Sequence, residues 1–101
     1  MSSETRWLVV VWDYDSDSFG YYVCRVRSFS RLSDAVYDFE SETKIHWCFD
    51  EKGNPNSFFI PRNATGVAVM EQKGDEEAVT VDQYTAGQTG RYPTRFAELQ
   101  G

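Results

Sequence analysis

Apolar residues fill both phases of an extended strand near the start of the chain. Trp7, Val9 and Val11 point one way, and Leu8, Val10 and Trp12 point the other. Arg6 to Asp13 therefore reads as a central strand covered on both sides, or as one lying inside a closed barrel. Gly20 to Arg27 reads as the next strand, with Tyr22, Cys24 and Val26 on one face and Tyr21, Val23, Arg25 and Arg27 on the other. Tyr14 to Phe19, rich in Asp and Ser, is then the loop of an antiparallel hairpin.

The period changes after the hairpin. Leu32, Ala35, Val36 and Phe39 fall at i, i+3, i+4 and i+7, which is helical spacing. Ser33 is the expected N-cap, Asp34 suits the positive end of the helix dipole, and Leu32 could staple onto Tyr37. The expected helix runs from Asp34 to about Ser41, with Asp38, Glu40 and Glu42 toward solvent. Alternation resumes at Lys44 to Asp50, with Ile45, Trp47 and Phe49 inward and His46, Cys48 and Asp50 outward. Short strands follow at Ser57 to Ile60, Thr65 to Gln72 and Ala78 to Tyr84. They are separated by the turn-rich stretches "EKGNPN", "PRNAT" and "KGDEE". "TAGQTG" reads as a loop, and Pro93 opens a last helical turn through Leu99, docked by Phe96 and Leu99.

This order predicts an α+β fold: a mostly antiparallel, curled sheet of about six strands, one short helix after the second strand, and a C-terminal helical turn. A small closed β-barrel is the alternative. At 101 residues the chain is expected to be a single domain, residues 1–101, with Met1 to Thr5 frayed. Aromatics at 16% are abundant, and they sit inside patterned segments where they fill a core.

Charge narrows the function classes. The net charge is −6, from 16 acids and 10 bases, which disfavours direct binding to nucleic acid. Two cysteines are too few for a disulfide scaffold, and Cys24 is expected to behave as a small buried apolar residue. The start of the chain lacks the pattern of a secretory signal, and the longest apolar run, Trp7 to Trp12, is far short of a membrane span. A reduced, cytoplasmic protein without membrane contact is the expectation.

Candidate chemistry is sparse. Asp13, Asp15 and Asp17 match the first acidic positions of a calcium-binding EF-hand loop. Ser18 and Cys24 stand where its glycine and closing glutamate belong, and both flanks read as strands. In "SFGYYV", Phe19, Gly20 and Tyr21 are arranged like the aromatics of RNA recognition motifs. Asp17 and Ser18 replace the basic residue and glycine that precede them there. His46, Cys48 and Asp50 share a strand face, but alternate strand residues lie about 7 Å apart, too far to close on one ion. Arg25 and Arg27, side by side, are expected to pair with acids of the same chain. No phosphate-binding loop, G-x-S-x-G or H-E-x-x-H motif is present. Neither cofactor nor catalytic residue is expected.

What stands out is the placement of acids. Asp13, Asp15 and Asp17 crowd the hairpin, and Asp34, Asp38, Glu40 and Glu42 load the helix without a base among them. The reading this supports is a small acidic, non-enzymatic protein-binding domain. It would be of inhibitor, immunity or phosphate-mimicking type, docking on a basic partner through Asp13, Asp15, Asp17, Asp38, Glu40 and Glu42. The alternatives are a structural subunit that self-associates and a ligand-binding barrel with an aromatic pocket built from Trp7, Trp12, Tyr14, Phe19 and Tyr21.

Overall fold

The computed structural model describes residues 4–15 and 17–100, without the side chains of Asp15, Phe96 and Gln100. The chain is α+β with two antiparallel sheets. Strands β1 (Thr5–Asp15), β2 (Gly20–Phe29), β5 (Gly66–Lys73) and β6 (Val79–Tyr84) form the larger sheet in the order β2-β1-β5-β6. Strands β3 (His46–Phe49), β4 (Pro55–Phe59) and β7 (Thr89–Arg91) form the smaller one in the order β3-β4-β7. Helix α1 (Leu32–Thr43) follows β2, and helix α2 (Arg95–Gln100) ends the described chain. The expected α+β, mostly antiparallel fold is present, its strands divided between two sheets, and among the described residues no barrel closes. The seventh strand lies in "TAGQTG", where Gly90 pairs with Phe58 of β4. A Cβ at Gly90 would stand 2.7 Å from the Phe58 ring, so any larger residue there must displace that ring. A strand of three residues with a glycine at its centre carries no period-two signal, which is why the loop reading missed it.

One layer covers the larger sheet. Val9 and Val11 of β1 and Val67 and Val69 of β5 are buried against Ala35, Val36 and Phe39 of α1. Phe58 and Ile60 from the smaller sheet's side join the same core, with Tyr84 of β6 between the Phe39 and Phe58 rings. Helix and small sheet therefore share one side of β1 and β5.

Helix α1 begins two residues earlier than expected. Its first bond runs from the Ala35 N–H to the Arg31 carbonyl, and Arg31, with extended backbone, is the N-cap and offers no side-chain bond. Ser33 lies inside the first turn, and Tyr37 is exposed rather than stapled by Leu32, which packs on the core instead. At the far end the buried Thr43 hydroxyl donates to the Phe39 carbonyl at 2.8 Å, and Lys44 takes the left-handed conformation that closes the helix. Thr5, expected to fray, opens β1, and the Glu4 carbonyl accepts from the Gly74 N–H at 2.8 Å. Residues 1–3, included in the same expectation, lie outside the described residues. The expected docking of the last turn by Phe96 rests on a side chain that is also outside them.

A β-bulge sets the faces of the hairpin. Val11 pairs with Arg25 and Trp12 with Val23, so Cys24 is the extra residue. Strict alternation would have placed Tyr21 and Val23 with the arginines. Instead Arg25, Arg27 and Phe29 turn toward α1, and Tyr21, Val23 and Val26 occupy the opposite side with Val10 and Trp12. Cys24 is exposed, against the expectation of burial. A second register shift, between Cys48 and Phe49, makes Asn56 of β4 the extra residue, and Phe49, expected inward, is exposed.

Candidate functional site

Among the described residues, the acids singled out in the sequence lie on two elements, helix α1 and the β1–β2 hairpin. Asp38, expected to face solvent, is buried at 8% exposure. Arg25 donates to Asp38 at 2.7 Å and also to Glu42, and Arg27 reaches Asp38 at 3.4 Å. The counter-charges missing from the helix come from strand β2, because the bulge turns both arginines under α1. Glu40 is exposed, and partial desolvation raises its carboxyl above the usual range. Asp13 and Asp17 are exposed on the β1–β2 hairpin, where Asp13 accepts the Tyr14 N–H at 2.8 Å. The side chain of Asp15 lies outside the described residues.

Among the described residues no group of three His, Cys, Asp or Glu side chains could hold a metal ion. His46 stacks on Phe59, with ring centroids 4.7 Å apart and planes 4° from parallel. Cys48 is exposed on the same strand.

The sheet face turned away from α1 offers a more definite site. Register places Leu8, Val10, Trp12 and Tyr14 of β1 on it. They are flanked by Tyr21, Val23 and Val26 of β2, by Ala68 and Met70 of β5, and by Gln83 of β6. Tyr21, Val23 and Val26 are 73%, 60% and 56% exposed. Tyr14 and Tyr21 stand edge to face, with centroids 5.1 Å apart, as a ridge along one border. Beside it runs a groove of about 470 Å³, lined by Trp12, Tyr21, Tyr22, Val23, Ala68, Gln83 and Thr85.

Gly66 sits opposite Trp12 and lines a second hollow beside the groove. A Cβ on Gly66 would lie 2.1 Å from the indole, so the bare glycine lets the Trp12 ring lie flat across β5. Around the end of the same ring, Asp13, Arg62 and Ala86 help line this second, more polar hollow of about 400 Å³. Of the proposed stacking pocket, Trp12, Tyr14 and Tyr21 do meet on this face. Trp7 packs on the opposite side against the core, and Phe19 is exposed in the hairpin turn.

The signal for this face was present in the sequence as the second apolar phase of β1. What the strand pattern could not give was that the helices and the second sheet of the described chain all lie on the other side. No helix of the described chain is long and apolar enough to cross a membrane. Comparison with protein-family profiles, with curated proteins and with solved structures returned no match, so the reading of this chain rests on its own residues.

Proposed function

We propose that this chain is a non-enzymatic protein-binding domain that docks through the bare face of its larger sheet. The observation that carries the reading is the contiguous apolar and aromatic surface of Val10, Trp12, Tyr14, Tyr21, Val23 and Val26, left open beside a groove. Exposed apolar patches of this kind mark interaction sites, and Tyr and Trp are the side chains that anchor such interfaces. The sparse titratable chemistry favours binding over catalysis.

The helix acids support the docking of a basic partner less well than their sequence suggested. Asp38 and Glu42 already satisfy Arg25, so a cation approaching α1 would have to compete with a guanidinium in place. A second reading keeps the acidic role on the hairpin alone. There β1 and β2 pair with each other past the end of the β1–β5 ladder, carrying the exposed Asp13 and Asp17.

A photocrosslinking amino acid in place of Val23 or Val26, with Tyr37 on α1 as the control position, tests the first reading in cells that make the protein. Crosslinks to protein from the two sheet positions and not from the helix position are expected. Equal yields at Tyr37, or none at the sheet, would overturn it. Crosslinks confined to positions flanking Asp17 would favour the hairpin instead.

A further inference from the structure

Resting on that protein-binding reading, we propose that the occupant of the bare face is a second copy of this chain, packed face to face about a twofold axis. Four observations converge on a copy of itself.

The first is layering. The chain is 16 Å through its shortest dimension, the depth of a sheet with one covering layer. Strand β1 is nonetheless apolar on both faces, and on its Leu8, Val10 and Trp12 side no helix or second sheet of the described chain packs, with only the loop residues Arg62, Ala64 and Ala86 reaching the Trp12 end. A second sheet about 10 Å away supplies the missing layer.

The second is charge. The chain carries −6 overall, so most ways of bringing two copies together would oppose acid to acid. Among the described strand residues on the bare face, Arg6 is the one charged side chain, and it sits at the corner, donating to Ser28. The carboxylates of Asp38, Glu42 and Asp82 are held on the other side by Arg25 and Tyr84. Two such faces can meet without like-charge contact. A basic partner, by contrast, finds no carboxylate among the described strand residues of this face, Asp13 reaching only the hollow at its end.

The third is area. Four strands at roughly 4.8 Å spacing, each about seven residues long at roughly 3.3 Å, make a plate on the order of 20 by 23 Å. Its footprint of about 460 Å² is over half of the roughly 800 Å² per partner of a stable interface, and the relief of the side chains adds to it.

The fourth is shape. The Tyr14–Tyr21 ridge borders a groove floored by Trp12 and Ala68. In an isologous contact each copy offers the same ridge and the same groove, so Tyr21 of one copy enters the groove over Ala68 of the other, twice.

Sedimentation and light scattering on the full chain across a concentration series test this. The expected mass is twice the 11.6 kDa chain. Val26→Glu, which buries a carboxylate in the contact, should weaken association on the order of 100-fold. Val79→Glu, at an exposed apolar residue off this face, should leave it unchanged. Shape is tested by mixing. Ala68→Phe fills the groove and Tyr21→Ala removes the ridge, so each alone should weaken association about ten-fold or more. Their equimolar mixture should recover much of it, because the truncated ridge then faces the filled groove while the intact ridge enters a groove that Ala68 leaves open, short only of its own Tyr21 wall.

Circular dichroism controls the fold of each variant, and the mixing pair decides the case if Val26→Glu does not fold. A wild-type chain that stays monomeric to about 1 mM overturns the proposal, as does a dimer indifferent to Val26→Glu and to both groove variants. Photocrosslinks from Val23 to a different protein would then leave the protein-binding reading standing and remove only the second copy. Absence of any crosslink would remove both.

Discussion

Arg25 Nη2 stands 2.7 Å from Asp38 Oδ2, tying the edge strand β2 to the helix that covers the sheet. The Asp38 side chain is nearly enclosed, while Arg27, its second partner, is more than half exposed and 3.4 Å away. Removing one member of a largely buried pair leaves the other desolvated and uncompensated. Asp38→Ala should therefore cost about 1–3 kcal/mol in urea unfolding, and Arg27→Ala no more than about 1 kcal/mol. Equal losses for the two would show that Arg25 is not the principal partner.

Two glycines should respond unequally to a methyl group. Gly66→Ala drives a Cβ into the Trp12 indole, which lies at the surface and can swing outward. Gly90→Ala drives one into the Phe58 ring, which is buried in the core and cannot. The expected losses are about 1 kcal/mol for the first and about 2–3 kcal/mol for the second. A shifted Trp12 indole N–H resonance in Gly66→Ala would identify the moving ring. The reverse order of stabilities would contradict this account of the two glycines.

Tyr84 sets an alkaline limit. Burial is the main reason its phenol titrates well above the usual range. Its bond to the Asp82 carboxylate pushes the same way, as does that group's charge, while a hydrogen bond with Thr94 opposes them. The folded chain thus holds this proton more tightly than the unfolded one, where tyrosine titrates near about 10. Stability is complete below that pH and falls as pH rises toward the folded value. Tyr84→Phe should flatten this alkaline decline in chemical-denaturation curves above about pH 10. It should also lower neutral stability by about 1 kcal/mol through the lost hydroxyl bond. An unchanged alkaline slope would place the responsible group elsewhere.

Divalent metals should leave stability unaltered. His46 lies flat on Phe59, and the acids of the hairpin turn do not converge with other ligands among the described residues. Thermal melts with calcium, with zinc and with a chelator should superimpose. A rise of several degrees with equimolar metal would reveal a site.

The elements most legible in the sequence are those with a sustained period. β1, β5 and the body of α1 follow from Val9 and Val11, Val67 and Val69, and Ala35, Val36 and Phe39, which all meet in one core. The failures trace to single backbone events. The Cys24 bulge exchanged the faces of Tyr21 and Arg25, and with them the environment of Asp38, so a helix that read as an exposed acidic surface is partly a buried ion-pair network. Periodicity carries no information on where one residue is skipped. The uncovered sheet side was legible only in half. Leu8, Val10 and Trp12 announce that the face is apolar, but what covers it depends on how far the remaining elements reach, and those all gather on the Val9 side.

Cys24 has a consequence beyond its own side chain. Because Arg25 and Val23 already lie opposite adjacent β1 residues, deleting Cys24 would leave every neighbour on its present face and turn the ladder regular. What would change is the local twist a bulge imposes, and with it the angle at which Tyr14, Tyr21 and the hairpin turn stand off the sheet. Chain length at this position thus tunes the aim of the aromatic ridge, while side-chain identity tunes its stickiness. The two can be varied separately, because losing Cys24 leaves every core side chain on its present face.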